Sequence, residues 1–490
     1  MWKDRRLQFI LTFGAVFAVV PMVVRNILPY DMVENLYWGK ELQPGYVKHP
    51  PLFAWVSYFF YEICFSWPES LYVLTQLNLL LGFYFIFRTS RLIFGDETKS
   101  YASIFIFMSS VCAVFGNEKF NANTVLISLF PMMFFFFVRL LKFNRKMDAL
   151  ALGLASALAF LGKYFALLYI GCLWLFLIFD RHSRRMLKTP LPYVAAAVFL
   201  LGIGWHLAWM WNSDFVSLKY SLDKSINAPT NFFSCFNFLL MQTVFFSTSF
   251  LAFKYSYSGK MRFLPLKDGQ FSSEERFIIF ITIIPNLLLF AVSLMTGMRI
   301  GSFWGTNMLM MLGVYLLIIN GDHLNHDRLF RFVKGTSFVF AVILLAKLGV
   351  ARCLLGTLDP TNALNLRSIS DHIQQDWQSR FPGQKMTILK TDKATAALHL
   401  HLEDSPSSYD VARNDQYRIY DRYPTDTKVA VAFLCSKNGG EIKYFRDFYK
   451  TDILFDNMVS VTEEYSVYYA FLEVKNDDDR SRHQPGGASI

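Results

Sequence analysis

Long uninterrupted apolar runs dominate this chain and leave few folds open to it. A helix must carry about 20 apolar residues to cross a bilayer, because lipid offers no partner to an unpaired backbone amide or carbonyl. Such runs recur through residue 356, and the sequence predicts eleven spans, near 7–28, 71–90, 101–116, 122–140, 148–162, 164–180, 190–211, 235–253, 276–296, 306–320 and 335–356. Aromatic stretches such as 51–67, which can also lie in the interface, stretch the count to about thirteen. Only 18% of the 490 residues are charged, against about 25% in a soluble domain, so a soluble enzyme is excluded. Residues 1–356 hold 32 Lys and Arg against 18 Asp and Glu; residues 357–490 hold 16 against 20. The basic excess lies in loops between apolar runs and not on a folded polar surface, which excludes a nucleic-acid binder. The fold class expected is a polytopic α-helical membrane protein, with a transmembrane domain over 1–356, an exported C-terminal α/β domain over 357–475 and a disordered tail over 476–490.

The basic residues also set an orientation, since loops rich in Lys and Arg stay on the cytoplasmic side. One set of loops holds Arg88, Arg91 and Lys99; Arg139, Lys142, Arg145 and Lys146; Arg181, Arg184, Arg185 and Lys188; and Arg328, Arg331 and Lys334. The alternate loops hold far fewer. The N-terminus is therefore expected inside, as a retained signal anchor, and an odd number of spans carries residues 357–490 outside. Six cysteines, five of them in or near the membrane with Cys435 alone in the soluble part, give no CxxC and no internal pairing there. Neither disulfide nor metal is expected. In the C-terminal part, Leu366, Ile369, Ile373 and Trp377 have helical spacing, and 386–390, 428–434 and 465–474 read as strands.

The first outer loop, 29–70, collects most of the unusual residues. Asp31 and Glu34 are three apart, on one face of a helix that begins there, with Trp38 following. A structural reading is at hand: D-x-x-E is close to a capping box, with Asp31 as N-cap. After Pro44-Gly45 come Tyr46, Lys48, His49 and Pro50-Pro51, then an amphipathic aromatic stretch. That segment can equally be a Pro-Pro bend that lays an interfacial helix on the bilayer, with Lys48 snorkelling to headgroups. A carboxylate pair, a basic pair and aromatics just outside a membrane suit transfer from a lipid phosphate-linked sugar. The cations hold the phosphate, and the carboxylate accepts the proton of an attacking hydroxyl.

The string GYVKHPPLFAW (residues 45–55), following an acidic residue placed just after the first span, resembles the GT-C glycosyltransferases. Within them it looks like the branch of ArnT and the protein O-mannosyltransferases, and most like the rhizobial-type galacturonosyltransferases of lipid A and lipopolysaccharide core. Looser matches are NEKFNANT (117–124), Gly162-Lys163-Tyr164 and GMRIGSFW (297–304). The resemblance implies that Asp31 is the catalytic carboxylate, although Met32 stands where the family usually has a second adjacent acid, which leaves Glu34 as the other candidate. It implies a phosphate contact directly before Pro-Pro. That position is His49 here, with Lys48 one earlier and preferred on charge, since an exposed His is mostly neutral near pH 7. Arg299 and Lys163 are the other donor-phosphate candidates. Tyr46, Trp38, Asn123, Lys119 and Trp304 are the substrate-binding candidates, Asn123 standing where relatives often have Asp.

The function implied is inverting transfer of galacturonic acid or an amino sugar from a polyprenyl-phosphate donor. The acceptor is lipid A or lipopolysaccharide core, at the periplasmic face of the bacterial inner membrane. No cofactor, no nucleic-acid partner and a monomer surrounded by membrane lipids are expected. Plainer readings stand beside these: Lys163 snorkelling, Lys119 with Glu118 as an exposed pair, Tyr46 and Trp38 as interfacial anchors, His399 and His401 on one strand face. Asp322-His323 and His326-Asp327 have a metal-like spacing on the expected cytoplasmic side. A flippase for lipid-linked sugars, a protein O-glycosyltransferase and an assembly protein that docks through its exported domain are the rival functions. No P-loop and no GxGxxG is present to drive any of them with a nucleotide.

Overall fold

The computed structural model describes residues 4–25, 28–226, 234–265, 271–297, 307, 309–321, 323–353, 366–390, 398, 400, 402, 429–437, 453–460 and 465–473. Arg299, Trp304, Asp322, His399, His401 and the tail 476–490 lie outside them. The chain divides into two compact units, residues 1–24 with 42–347, and residues 25–41 with 348–490. The segment carrying Asp31 and Glu34 is thus grouped with the chain beyond 348.

The first unit is helical: α1 (Arg5–Val24), α3 (Leu52–Ile63), α4 (Ser70–Phe94), α5 (Glu97–Met108), α6 (Val111–Val114), α7 (Leu126–Phe143), α8 (Lys146–Gly162), α9 (Ala166–Phe179), α10 (Leu191–Asn212), α11 (Val216–Ile226), α12 (Ser234–Ser256), α13 (Ser273–Thr296), α14 (Leu312–Asn320) and, as far as Lys347, α15 (His326–Cys353). The helix α2 (Tyr30–Glu41) belongs to the second unit.

A helix occupies each of the eleven expected spans, but their lengths differ. Among the described residues seven helices are long and apolar enough to cross a membrane, or eight if α5 with the α6 segment is one bent span. α8, α9 and α14 have 17, 14 and 9 residues, short of the usual spanning length. The span expected straight through 101–116 is instead broken, bending by 80° between Met108 and Val111. Ser109 and Ser110 make the break possible. The Ser110 hydroxyl caps α6 by accepting the Ala113 amide at 3.1 Å. The Ile106 carbonyl is met by the Ser109 hydroxyl at 2.8 Å and by the Ser249 hydroxyl of α12 at 2.6 Å.

Small residues and aromatic rings do the rest of the helix packing, as they must where burial from water supplies no driving force. A Cβ on Gly153 of α8 would fall 2.4 Å from the Ala195 carbonyl of α10, and one on Gly313 of α14 would fall 2.2 Å from the Ser103 carbonyl of α5. Phe137, Phe176 and Phe277 join α7, α9 and α13, with Phe137 and Phe277 centroids 4.4 Å apart.

In the second unit α16 (Leu366–Arg380) accompanies a four-stranded sheet of order β1-β2-β4-β3, with β1 (Ile388–Lys390), β2 (Val429–Lys437), β3 (Ile453–Ser460) and β4 (Tyr465–Glu473). β1 runs parallel to β2, and the other pairs are antiparallel. Three of these strands lie where alternation placed them; β3 is additional. Ile369, Ile373 and Trp377 are buried as their spacing predicts, and the Trp377 ring meets Phe471 of β4 edge-on at 5.2 Å. The Tyr469 hydroxyl donates to Asp376 of α16. Burial, and then that bond, push the Tyr469 phenol above its usual range.

Gly153→Val is expected to force α8 and α10 apart and lower stability by about 1–3 kcal/mol, seen as a lower thermal transition of the detergent-solubilised protein. Gly171→Ala, where nothing lies within 4 Å of the added carbon, is expected to leave that transition in place.

Candidate active site

α2 begins at Tyr30, so Asp31 lies inside its first turn and is not the N-cap. The helix opens instead on the Pro29 carbonyl, which accepts the amides of Met32 and Val33 at 2.9 and 3.2 Å. The capping box suggested by D-x-x-E is therefore not what holds Glu34. Its Oε1 accepts hydroxyl hydrogens from Tyr30 at 3.2 Å and Tyr37 at 3.3 Å, and Glu34 is buried. The two tyrosine hydroxyls thus converge on one carboxylate oxygen. Asp31, one turn earlier on the same face, is half-buried. Trp38 is buried and meets Tyr37 edge-on at 5.9 Å. A helix buried from Met32 through Gly39 does not fit an interfacial anchor.

In the first unit the basic motif forms a tight loop. Tyr46 and His49 exchange backbone hydrogen bonds, at 3.1 Å from the Tyr46 amide and 3.3 Å from the His49 amide. Lys48 and His49 are both half-buried, and His49 meets Phe53 edge-on at 5.6 Å. Tyr46 is buried, again unlike an interfacial anchor. The loop rests on the last turns of α10. The Trp55 indole donates to the Gln43 carbonyl at 3.2 Å and stacks on Trp205 at 5.2 Å and 13°. Gly45 is required there, because its added Cβ would fall 2.4 Å from the Trp209 ring.

The motif NEKFNANT is a second irregular segment, leading into α7. Asn121 shapes it: its Oδ1 accepts the amides of Asn123 and Thr124 at 2.9 and 3.1 Å. The Thr124 hydroxyl accepts the Asn121 amide at 2.8 Å and donates to the Lys119 carbonyl at 2.9 Å. Asn78 of α4 donates to the Thr124 carbonyl at 2.7 Å, and Asn307 donates to the Asn123 carbonyl at 2.8 Å. The Lys163 ammonium, on the turn after α8, donates to Asn123 Oδ1. The side chains of Asn123 and Lys163 are thus brought together, with the Lys119 backbone in the same segment. Glu118, beside Lys119, makes an ion pair with Lys347 of α15, at 2.5 Å. Among the described residues no three His, Cys, Asp or Glu side chains cluster as metal ligands.

His206 of α10, buried within a span free of other ionisable side chains except Tyr193, went unread in the sequence. An ionisable side chain in an apolar spanning helix is uncommon, and this one bonds both to Tyr164, next to Lys163, and to Pro44 before the basic loop.

Residues 48–209, which contain Lys48 and His49, the NEKFNANT segment, Lys163 and His206, match the family model of the dolichyl-phosphate-mannose-protein mannosyltransferases. The fold also has counterparts among solved structures. It aligns with ArnT of Cupriavidus metallidurans bound to undecaprenyl phosphate at a TM-score of 0.63, with 13% identity over 94% of this chain and 98% of that one. The apo form of that protein gives 0.56, with 14% identity over 95% and 98%. In sequence the chain is 24% identical over 216 residues to the lipopolysaccharide core galacturonosyltransferase RgtA of Rhizobium johnstonii. That match spans 42% of this chain and 43% of the relative, less than half its length.

Asn121→Ala removes the acceptor for two amides and is expected to cost about 1–3 kcal/mol, lowering the thermal transition in detergent. Asn121→Asp keeps the acceptor and is expected to retain most of the stability.

Proposed function

We propose that the protein is an inverting glycosyltransferase that moves galacturonic acid or an amino sugar from a polyprenyl phosphate to lipid A or lipopolysaccharide core. The reaction takes place at the periplasmic face of the inner membrane, with the N-terminus cytoplasmic. The observation that carries this reading is the closed loop Tyr46–His49, which presents Lys48 and His49 within the segment matching a lipid-linked mannosyltransferase family. The match to RgtA supports the lipopolysaccharide acceptor and the uronic acid, and the likeness to ArnT supports a polyprenyl-phosphate donor.

In this mechanism the donor phosphate rests against Lys48 or His49, with Lys163 and Arg299 completing the positive surroundings. Asp31 takes the proton of the acceptor hydroxyl while that oxygen attacks the anomeric carbon. The bond from that carbon to the phosphate oxygen breaks with inversion, and polyprenyl phosphate leaves as an anion held by the cations. Glu34, held by Tyr30 and Tyr37, lies near Asp31 on the same helix and orients the acceptor. Tyr46, Trp38, Asn123, Lys119 and Trp304 line the sugar and acceptor. A phosphate acceptor on lipid A is already anionic and needs no base. A protein acceptor is the second reading, favoured by the description of the matching family.

Mass spectrometry of lipid A and core oligosaccharide separates these readings, using cells that supply the lipid-linked donor. A hexuronic-acid or hexosamine increment is expected with the wild type and not with Asp31→Asn at equal membrane abundance. Equal increments from both remove Asp31 as base and point to a phosphate acceptor. No increment from the wild type contradicts a lipopolysaccharide acceptor. Lys48→Ala is expected to raise the donor KM about tenfold or more, as loss of a charge-assisted contact should.

A further inference from the structure

We infer that His206 is the positioning residue that sets the Lys48–His49 loop against the Lys163 turn, and so tunes affinity for the phosphate of a lipid-linked donor. The inference rests on the reading of those cations as the phosphate site. It is independent of which sugar or acceptor is used.

Four polar groups form a chain whose direction is fixed at one end. His206 Nδ1 lies 2.7 Å from the Pro44 carbonyl oxygen. A carbonyl can only accept, so Nδ1 carries the proton and, in a neutral ring, Nε2 is an acceptor. The Tyr164 hydroxyl, 3.1 Å from Nε2, must donate to it. The Tyr164 oxygen then accepts the hydrogen of Ser217, whose hydroxyl is 2.6 Å away. Every member therefore has one role. His206 and Ser217 are fully buried, where a missing partner is expensive and an alternative one from water is absent.

The two ends of this chain are the two basic segments. Pro44 directly precedes Gly45 and the Tyr46–His49 turn, and Tyr164 directly follows Lys163. The ring itself cannot swing. Trp209 stacks on it at 5.5 Å and 15°, and Phe160 meets it edge-on at 6.0 Å. The Trp209 ring also bars any side chain at position 45. One imidazole thus ties a loop to a turn from opposite edges, across 162 residues of sequence on one side and 42 on the other. No other described hydrogen bond that includes the side chain of His206 serves a different purpose.

The test uses the full-length protein in nanodiscs and undecaprenyl phosphate as probe, with binding read by titration and thermal transitions measured alongside. His206→Phe fills the ring space without hydrogen bonds, and His206→Asn restores a donor close to Nδ1. About tenfold weaker binding by His206→Phe is expected, with His206→Asn within about threefold of the wild type. In turnover the loss should appear in the donor KM with kcat retained, which a general folding defect would not produce. Equal binding by wild type and His206→Phe overturns the inference. Should His206→Phe fail to fold, Tyr164→Phe decides: weaker binding supports the chain, and wild-type binding overturns it. Absence of binding by the wild type itself would instead remove the reading of the phosphate site on which the inference rests.

Discussion

Buried backbone that leaves helical geometry must find new partners for every amide and carbonyl it frees, and that constraint decides where this protein can be irregular. The break in the third apolar run is tolerated because Ser109 and Ser249 both reach the Ile106 carbonyl. The loop before α3 is tolerated because its own residues bond each other and its Pro44 carbonyl is taken by His206. The segment before α7 is tolerated because the side chains of Asn121, Thr124, Asn78 and Asn307 bond its backbone amides and carbonyls. The irregular segments are the ones that carry Lys48, His49, Lys119 and Asn123.

Charge placement follows from the same limitation. A Lys at membrane depth costs several kcal/mol unless solvated or bonded, and Lys163 meets that demand through Asn123 Oδ1. Glu118, next to Lys119, is bonded to Lys347. Glu34 is buried and receives two tyrosine hydroxyls. Each of these contacts restrains a charged or polar group before any ligand arrives, which is the arrangement that electrostatic stabilisation of a leaving phosphate requires.

Much of this was legible in the sequence, because local periodicity and composition carry it. The apolar runs marked where helices form, and Leu366, Ile369, Ile373 and Trp377 marked α16 by spacing alone. The motif around Lys48 and the acidic pair after the first span stood out because charges there interrupt a hydrophobic background. Contacts between distant segments were not legible. The Ser109–Ser110 break reads as part of a continuous apolar run until the Ser249 hydroxyl is seen to meet it. Asp31-x-x-Glu34 reads as a capping box until Tyr30 and Tyr37 are found on Glu34. Strand β3, ILFDNMVS, lacks clean alternation and is fixed by its register on β4. His206 is conspicuous as an ionisable residue in an apolar span, yet its partners Pro44 and Tyr164 come from different parts of the chain.

The most direct measurement is a cryo-electron microscopy map of the full-length protein in a lipid nanodisc with undecaprenyl phosphate added. The account predicts phosphate density within hydrogen-bond reach of Lys48 or His49 and of Lys163, with the loop still resting on His206 and Trp209. Phosphate density bound away from both basic segments, in a protein shown to bind the lipid, would contradict it.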